Sequence, residues 1–87
     1  MVEKTYKVIS DTGIQARSAA QLVNLASQLE PEISLKYRTT TVNLKSIMGL
    51  MSLAIGKGAE VVITAKGNEE QEALQKIDDF IRKEIAE

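Results

Sequence analysis

Residues 32–37 read Glu-Ile-Ser-Leu-Lys-Tyr, apolar at every second position. Successive side chains of a strand point to opposite faces, so Ile33, Leu35 and Tyr37 share one side while Glu32, Ser34 and Lys36 share the other. Such a strand has one buried and one wet face. Helices are therefore expected to cover one side of an antiparallel sheet and leave the other to water.

The rest of the chain supplies those helices and further strands in a legible order. Thr5 to Ile9, with Tyr6 and Val8, suggests a first strand, and Asp11-Thr12-Gly13 a turn. From Ala16 the period becomes helical: Ala19, Leu22, Val23, Ala26 and Leu29 fall on one face, and Pro31 is expected to stop the helix. A short turn at Arg38 and Thr39 leads to a strand through Thr41, Val42 and Leu44. Residues 46–55 read as a short helix ended by Gly56-Lys57-Gly58, and Glu60 to Lys66 as a β-branched strand. Asn68 with Gln71 has the pattern of a capping box, and Ala73, Leu74, Ile77, Ile81 and Ile85 form the stripe of a final helix. The acidic Glu69, Glu70 and Glu72 and the basic Arg82 and Lys83 suit the two ends of its dipole. The order is β-α-β-β-α-β-α. It fits an α+β open-faced sandwich, and a ferredoxin-like arrangement fits nearly as well.

At 87 residues the chain is expected to be one domain, 1–87. It contains no His, Cys or Trp. That removes disulfides, thiolate or imidazole metal ligands, cysteine nucleophiles and phosphohistidine. The remaining kit is thin for catalysis, so a binding or signalling module is expected rather than an enzyme, with no catalytic residue, cofactor or metal. With 11 basic against 12 acidic residues the net charge is −1, which leaves no electrostatic footprint for nucleic acid. The longest apolar stretch, Ile47 to Ile55, is interrupted by Gly49 and Ser52 and is too short to cross a bilayer. A soluble, cytoplasmic protein is expected.

Three segments are candidates for chemistry. Gly56-Lys57-Gly58 superficially resembles a phosphate loop, but Met51 and Gly58 stand where that motif needs Gly and Ser or Thr. It is read as a turn. The stretch Thr12 to Ala20 hands a strand over to a helix, where backbone N–H groups and Arg17 make either an anion site or an ordinary turn with a solvated arginine. Ser46 opens the second helix as an N-cap, a role that does not exclude phosphorylation. Ile47, Met48, Leu50 and Met51 make that helix apolar on nearly every side. Either all of them are core, or some, above all Met48 and Met51, face a partner.

Gly13-Ile14-Gln15-Ala16-Arg17 with Ala19 resembles the active-site loop of the HPr family of the bacterial sugar phosphotransferase system. Val42 to Gly49 followed by Met51-Ser52-Leu53 resembles that family's regulatory-serine segment, and Lys57-Gly58-Ala59-Glu60 and Glu72-Ala73-Leu74 continue the likeness. The resemblance implies a four-stranded antiparallel sheet covered on one face by three helices. It also implies that Gln15 stands at the phosphorylatable histidine. An amide nitrogen, delocalised into its carbonyl, does not accept a phosphoryl group, so transfer from phosphoenolpyruvate is excluded. The Crh branch of the family, the catabolite-repression HPr proteins, shares this substitution.

By that resemblance Ser46 is the substrate of HPr kinase/phosphorylase, and the phosphorylated form docks on the transcription factor CcpA as corepressor. Arg17, Ile47, Met48 and Met51 match the family's partner-binding positions. Metabolic enzymes are further partners, and an exchangeable edge strand leaves room for a homodimer. An alternative is a phosphocarrier whose histidine has been replaced, and another is an interaction protein that needs no modification. Ser18 replaces the family's usual proline, so a looser loop is expected there. Lys36 to Thr40 replaces an Asn-Gly-type hairpin turn.

Overall fold

The computed structural model describes residues 1–86, in the order β1 (Val2–Lys7), α1 (Ala16–Ser27), β2 (Glu32–Tyr37), β3 (Thr40–Asn43), α2 (Ile47–Met51), β4 (Glu60–Lys66) and α3 (Glu70–Glu84). The strands form one antiparallel sheet in the order β1-β4-β2-β3. With β1 at an edge and no parallel pair, the arrangement is the open-faced sandwich, and the ferredoxin-like alternative falls away.

Alternation decides which face is covered. Tyr6, Ile33, Leu35, Val61, Ile63 and Ala65 are buried beneath the helices. The register places Tyr6 opposite Val61, and Leu35 opposite both Ile63 and Val42. The intervening Glu3, Thr5, Lys7, Lys36 and Glu60 belong to the wet face and are exposed. The helices close the core with Ala19, Leu22 and Ala26 from α1, Leu50 from α2, and Ala73, Ile77 and Ile81 from α3. Burying one such leucine or isoleucine side chain contributes about 1.5–3 kcal/mol.

Element ends depart from expectation where backbone geometry overrides side-chain pattern. The first strand starts at Val2 and stops at Lys7, and Val8 makes only an isolated bridge to Ala86. The first helix closes at Ser27, four residues short of Pro31. The second ends at Met51 rather than running to Ile55, and beyond it both Ala54 (φ 49°) and Gly58 (φ 87°) take positive φ. The final helix is not capped by Asn68. Its N-cap is Glu69 in the left-handed region (φ 59°) without a side-chain cap bond, and the Glu70 carboxylate instead accepts from Gly67 N–H at 3.1 Å.

Candidate functional site

The loop before α1 is fastened to the chain that follows α2. Ile14 N–H donates to the Ile55 carbonyl at 3.0 Å, and Gly13 N–H to the Ser10 carbonyl at 2.9 Å. Gly13 is buried with φ 67°, and a Cβ there would lie 2.4 Å from the Ile55 oxygen. Only glycine fits that approach. Asp11 and Lys57 pair at 2.9 Å across the same two loops, on the surface.

Gln15 follows as the N-cap of α1, with its side chain exposed and no cap bond from it. Ser18 supplies the bonds instead: its Oγ accepts from Gln15 N–H at 3.1 Å and donates to the Gln15 carbonyl at 3.2 Å. These two bonds tie the first turn of α1 through a serine side chain. Arg17, one position into the helix, is exposed.

Ser46 caps α2. Its Oγ accepts from Gly49 N–H at 3.3 Å, and its carbonyl accepts from Leu50 N–H at 3.1 Å. The approach to the helix is held by two contacts. Asn43 Oδ1 accepts from Lys45 N–H at 2.9 Å, and Lys45 Nζ donates to the Leu29 carbonyl at 2.7 Å, just past the end of α1. Ser46 is exposed. Beside it, Leu50 turns into the core while Ile47 (39 %), Met48 (82 %) and Met51 (40 %) stay open to solvent. Of the two readings left open by the sequence, exposure is the one that holds.

Lys45 meets the end of α1, whereas Ile55 meets the loop at its start, so α1 and α2 run in opposite senses. A 12-residue helix is about 18 Å long. The segment from Ser46 to Ile55 therefore spans from one end of α1 toward the other, with the exposed Met48 and Met51 between Ser46 and the Gln15 loop. Ser46 and the Gln15 loop thus lie toward opposite ends of this strip, and among the described residues no hydrogen bond joins them.

One cluster escaped the sequence reading. Asp78 is the one buried charged residue among those described, and its Oδ1 accepts from Tyr6 Oη at 2.7 Å. Lys4 Nζ lies 3.0 Å from the same oxygen, and Arg82 Nε 3.1 Å from both carboxylate oxygens. Burial pushes the Asp78 carboxyl up, but the hydrogen bonds from Tyr6, Lys4 and Arg82 outweigh it and bring it down to about 2. Burial first, and then the Asp78 carboxylate, pushes the Tyr6 phenol well above its ordinary 10.0. No shift of this kind was legible from the apolar stripe, because the partners on β1 are over 70 residues away in sequence. The cluster clamps β1 to α3, away from Ser46.

Among the described residues no group of His, Cys, Asp or Glu could hold a metal ion, and no helix is long and apolar enough to cross a membrane.

A family model described as the PTS HPr component phosphorylation site matches residues 2–83. The chain belongs to the HPr family. It is similar to the histidine-containing phosphocarrier protein of Mycoplasma, at 32% identity over 94% of this chain and 93% of that one, with a TM-score of 0.91. The phosphocarrier protein HPr of Bacillus anthracis is 42% identical over 91% and 94% of the two chains, with a TM-score of 0.84. Crh of Bacillus subtilis, the catabolite repression HPr, is 42% identical over all of both chains, with a TM-score of 0.75, and crystallised as an intertwined dimer with a swapped domain. HPr-family chains thus include phosphocarriers named for a histidine, yet this one has no histidine at all.

Proposed function

We propose that this HPr-family chain is a Crh-like regulatory protein of carbon catabolite repression, phosphorylated on Ser46 by HPr kinase/phosphorylase and then acting as corepressor of CcpA. The observation that carries the reading is a pairing within one chain. By the resemblance Gln15 stands for the family's histidine in the loop before α1, and Ser46 is exposed on a helix N-terminus flanked by Ile47, Met48 and Met51.

The chemistry follows from that placement. The Ser46 hydroxyl attacks the γ-phosphorus of ATP, the new Oγ–P bond forms as the bond to ADP breaks, and the hydroxyl proton passes to a base on the kinase. The added charge of about −1.5 to −2 sits at the positive end of α2, where it is tolerated. A basic residue of CcpA meets the phosphate in a charge-assisted bond worth about 1.5–3 kcal/mol. Met48 and Met51 bury apolar area beside it, and Arg17 adds a polar contact at the other end of the strip. No enzymatic activity belongs to the chain itself in this scheme, and its place is with the cytoplasmic kinase and transcription factor.

Incubation with ATP and HPr kinase/phosphorylase, followed by mass spectrometry, tests the first step. The expected result is one phosphoryl group, absent from Ser46→Ala. No added mass, or modification that survives Ser46→Ala, refutes it. For the second step, the phosphorylated chain binds CcpA and the unmodified one does not. Equal binding of both forms makes the chain an interaction protein without a switch.

A further inference from the structure

The hairpin between β2 and β3 carries a feature that the regulatory reading leaves unused. Tyr37 pairs with Thr40, so the turn has only two residues, Arg38 and Thr39. Arg38 takes φ 57°, a conformation that asparagine or glycine adopts readily and a long side chain does not. Backbone strain held at one residue is a pointer to function where its side chain lines a site. The Arg38 side chain does line one. Its guanidinium carbon lies 5.2 Å from the centroid of the Tyr37 ring, at the rim of a shallow groove of about 580 Å³ on the open sheet face.

The groove has a definite chemistry. Its floor is small, with Thr5 and Val62 facing each other across β1 and β4, and Gly58 at one wall leaves open space where a side chain would stand. Lys36 lines it together with Arg38, and Lys7 lines the adjoining hollow with Thr5 and Gly58. Among the described residues none of these three cations has a carboxylate within ion-pair distance. Glu60 is the only acid on the lining. Three positive charges against one negative, around a concavity of small-ligand size, leave a local excess that a dianion complements.

We propose that this groove binds a small dianion, a phosphate ester or dicarboxylate of metabolite size, with Arg38 as its anchor and Lys36 and Lys7 as flanking charges. The arginine fork engages two oxygens of one anionic group, which a lysine does not do. The left-handed turn holds that fork at the rim. The site lies on the wet sheet face, whereas Ser46 lies in the helix layer, so the proposal stands whether or not Ser46 is phosphorylated.

The test is an NMR titration of the full chain with glycerol 3-phosphate and, separately, with succinate, at fixed ionic strength against a sodium chloride control. Saturable shifts are expected at the amides of Thr5, Lys36, Arg38 and Gly58 with both anions. Arg38→Gly removes the anchor and relieves the backbone, so it is expected to raise the melting temperature while weakening binding at least about tenfold, the scale of one lost charge-assisted interaction. Lys36→Gln weakens it less. Unsaturable shifts spread over lysines, or Arg38→Gly binding as well as the parent, overturn the proposal. So does binding to an acidic peptide with no response to either small anion, which would make the face a protein-docking surface.

Discussion

Asp78 sits at 6 % exposure with three donors around it, and its charge is part of the fold rather than an ornament of the surface. Its carboxyl falls from an ordinary 3.8 to about 2 on folding. A lowered pKa means that the native state favours the ionised form, so the contribution is complete above the unfolded value near 4. It is lost as pH falls from about 4 to about 2. The shift corresponds to about 2 kcal/mol. Glu70, lowered chiefly by the hydrogen bond from the Met1 amine, acts with the same sign. Asp78→Asn is therefore expected to lose about 2 kcal/mol at neutral pH, and chemical denaturation should show a smaller stability drop between pH 4 and 2 than the parent. An unchanged acid limb would mean that folding does not lower the pKa of the Asp78 carboxyl. Nothing local in the sequence around Asp78 announces a tyrosine and a lysine on a strand at the opposite end of the chain. Arg38 is the second residue whose role is conformational. Arg38→Gly should gain about 1 kcal/mol by calorimetry, because glycine reaches positive φ without a Cβ clash.

The two helix starts with side-chain signals behaved differently, and the backbone says why. Ser46 was legible as a cap because Asn43 and Lys45 deliver the chain in extended geometry (φ −114°, ψ 114°), which points Oγ at the N–H groups of the first turn. Asn68 has the right side chain but sits in a turn between Gly67 (φ 133°) and a left-handed Glu69, so the helix begins one residue later than its pattern suggests. Caps are read from sequence only when the approach is extended. Ser46→Ala is expected to cost about 1 kcal/mol in denaturant unfolding, whereas Ser46→Asp keeps an acceptor and costs less than half as much. Equal losses for both would remove Ser46 from the cap. On the same element Met48→Glu leaves stability within about 0.5 kcal/mol, since the side chain is 82 % exposed. Under the proposed Ser46 switch it is nonetheless expected to weaken docking on CcpA, measurable by titration calorimetry, because a charged side chain replaces the apolar area that Met48 would bury there.

At the scale of the molecule, the one-sided strand in residues 32–37 foretold a covered face and a wet face, but not the strand order. That order depends on β1 reaching β4, with Val2 opposite Ala65, a pairing that no local pattern encodes. The same two-faced architecture keeps its two candidate surfaces apart. Ser46 follows the end of β3 in the helix layer, while Arg38 precedes the start of β3 at the rim of the open face. The four residues of β3 put about 13 Å between them, beyond the range at which mutational effects usually couple. They also share no hydrogen-bond partner. The stability changes of Ser46→Asp and Arg38→Gly are therefore expected to add within about 0.5 kcal/mol in the double variant. Likewise, glycerol 3-phosphate binding to Ser46→Asp should match the parent. Non-additivity beyond that margin would show that β3 transmits strain between hairpin and helix, and would tie the anion groove to the serine switch instead of leaving the two surfaces independent.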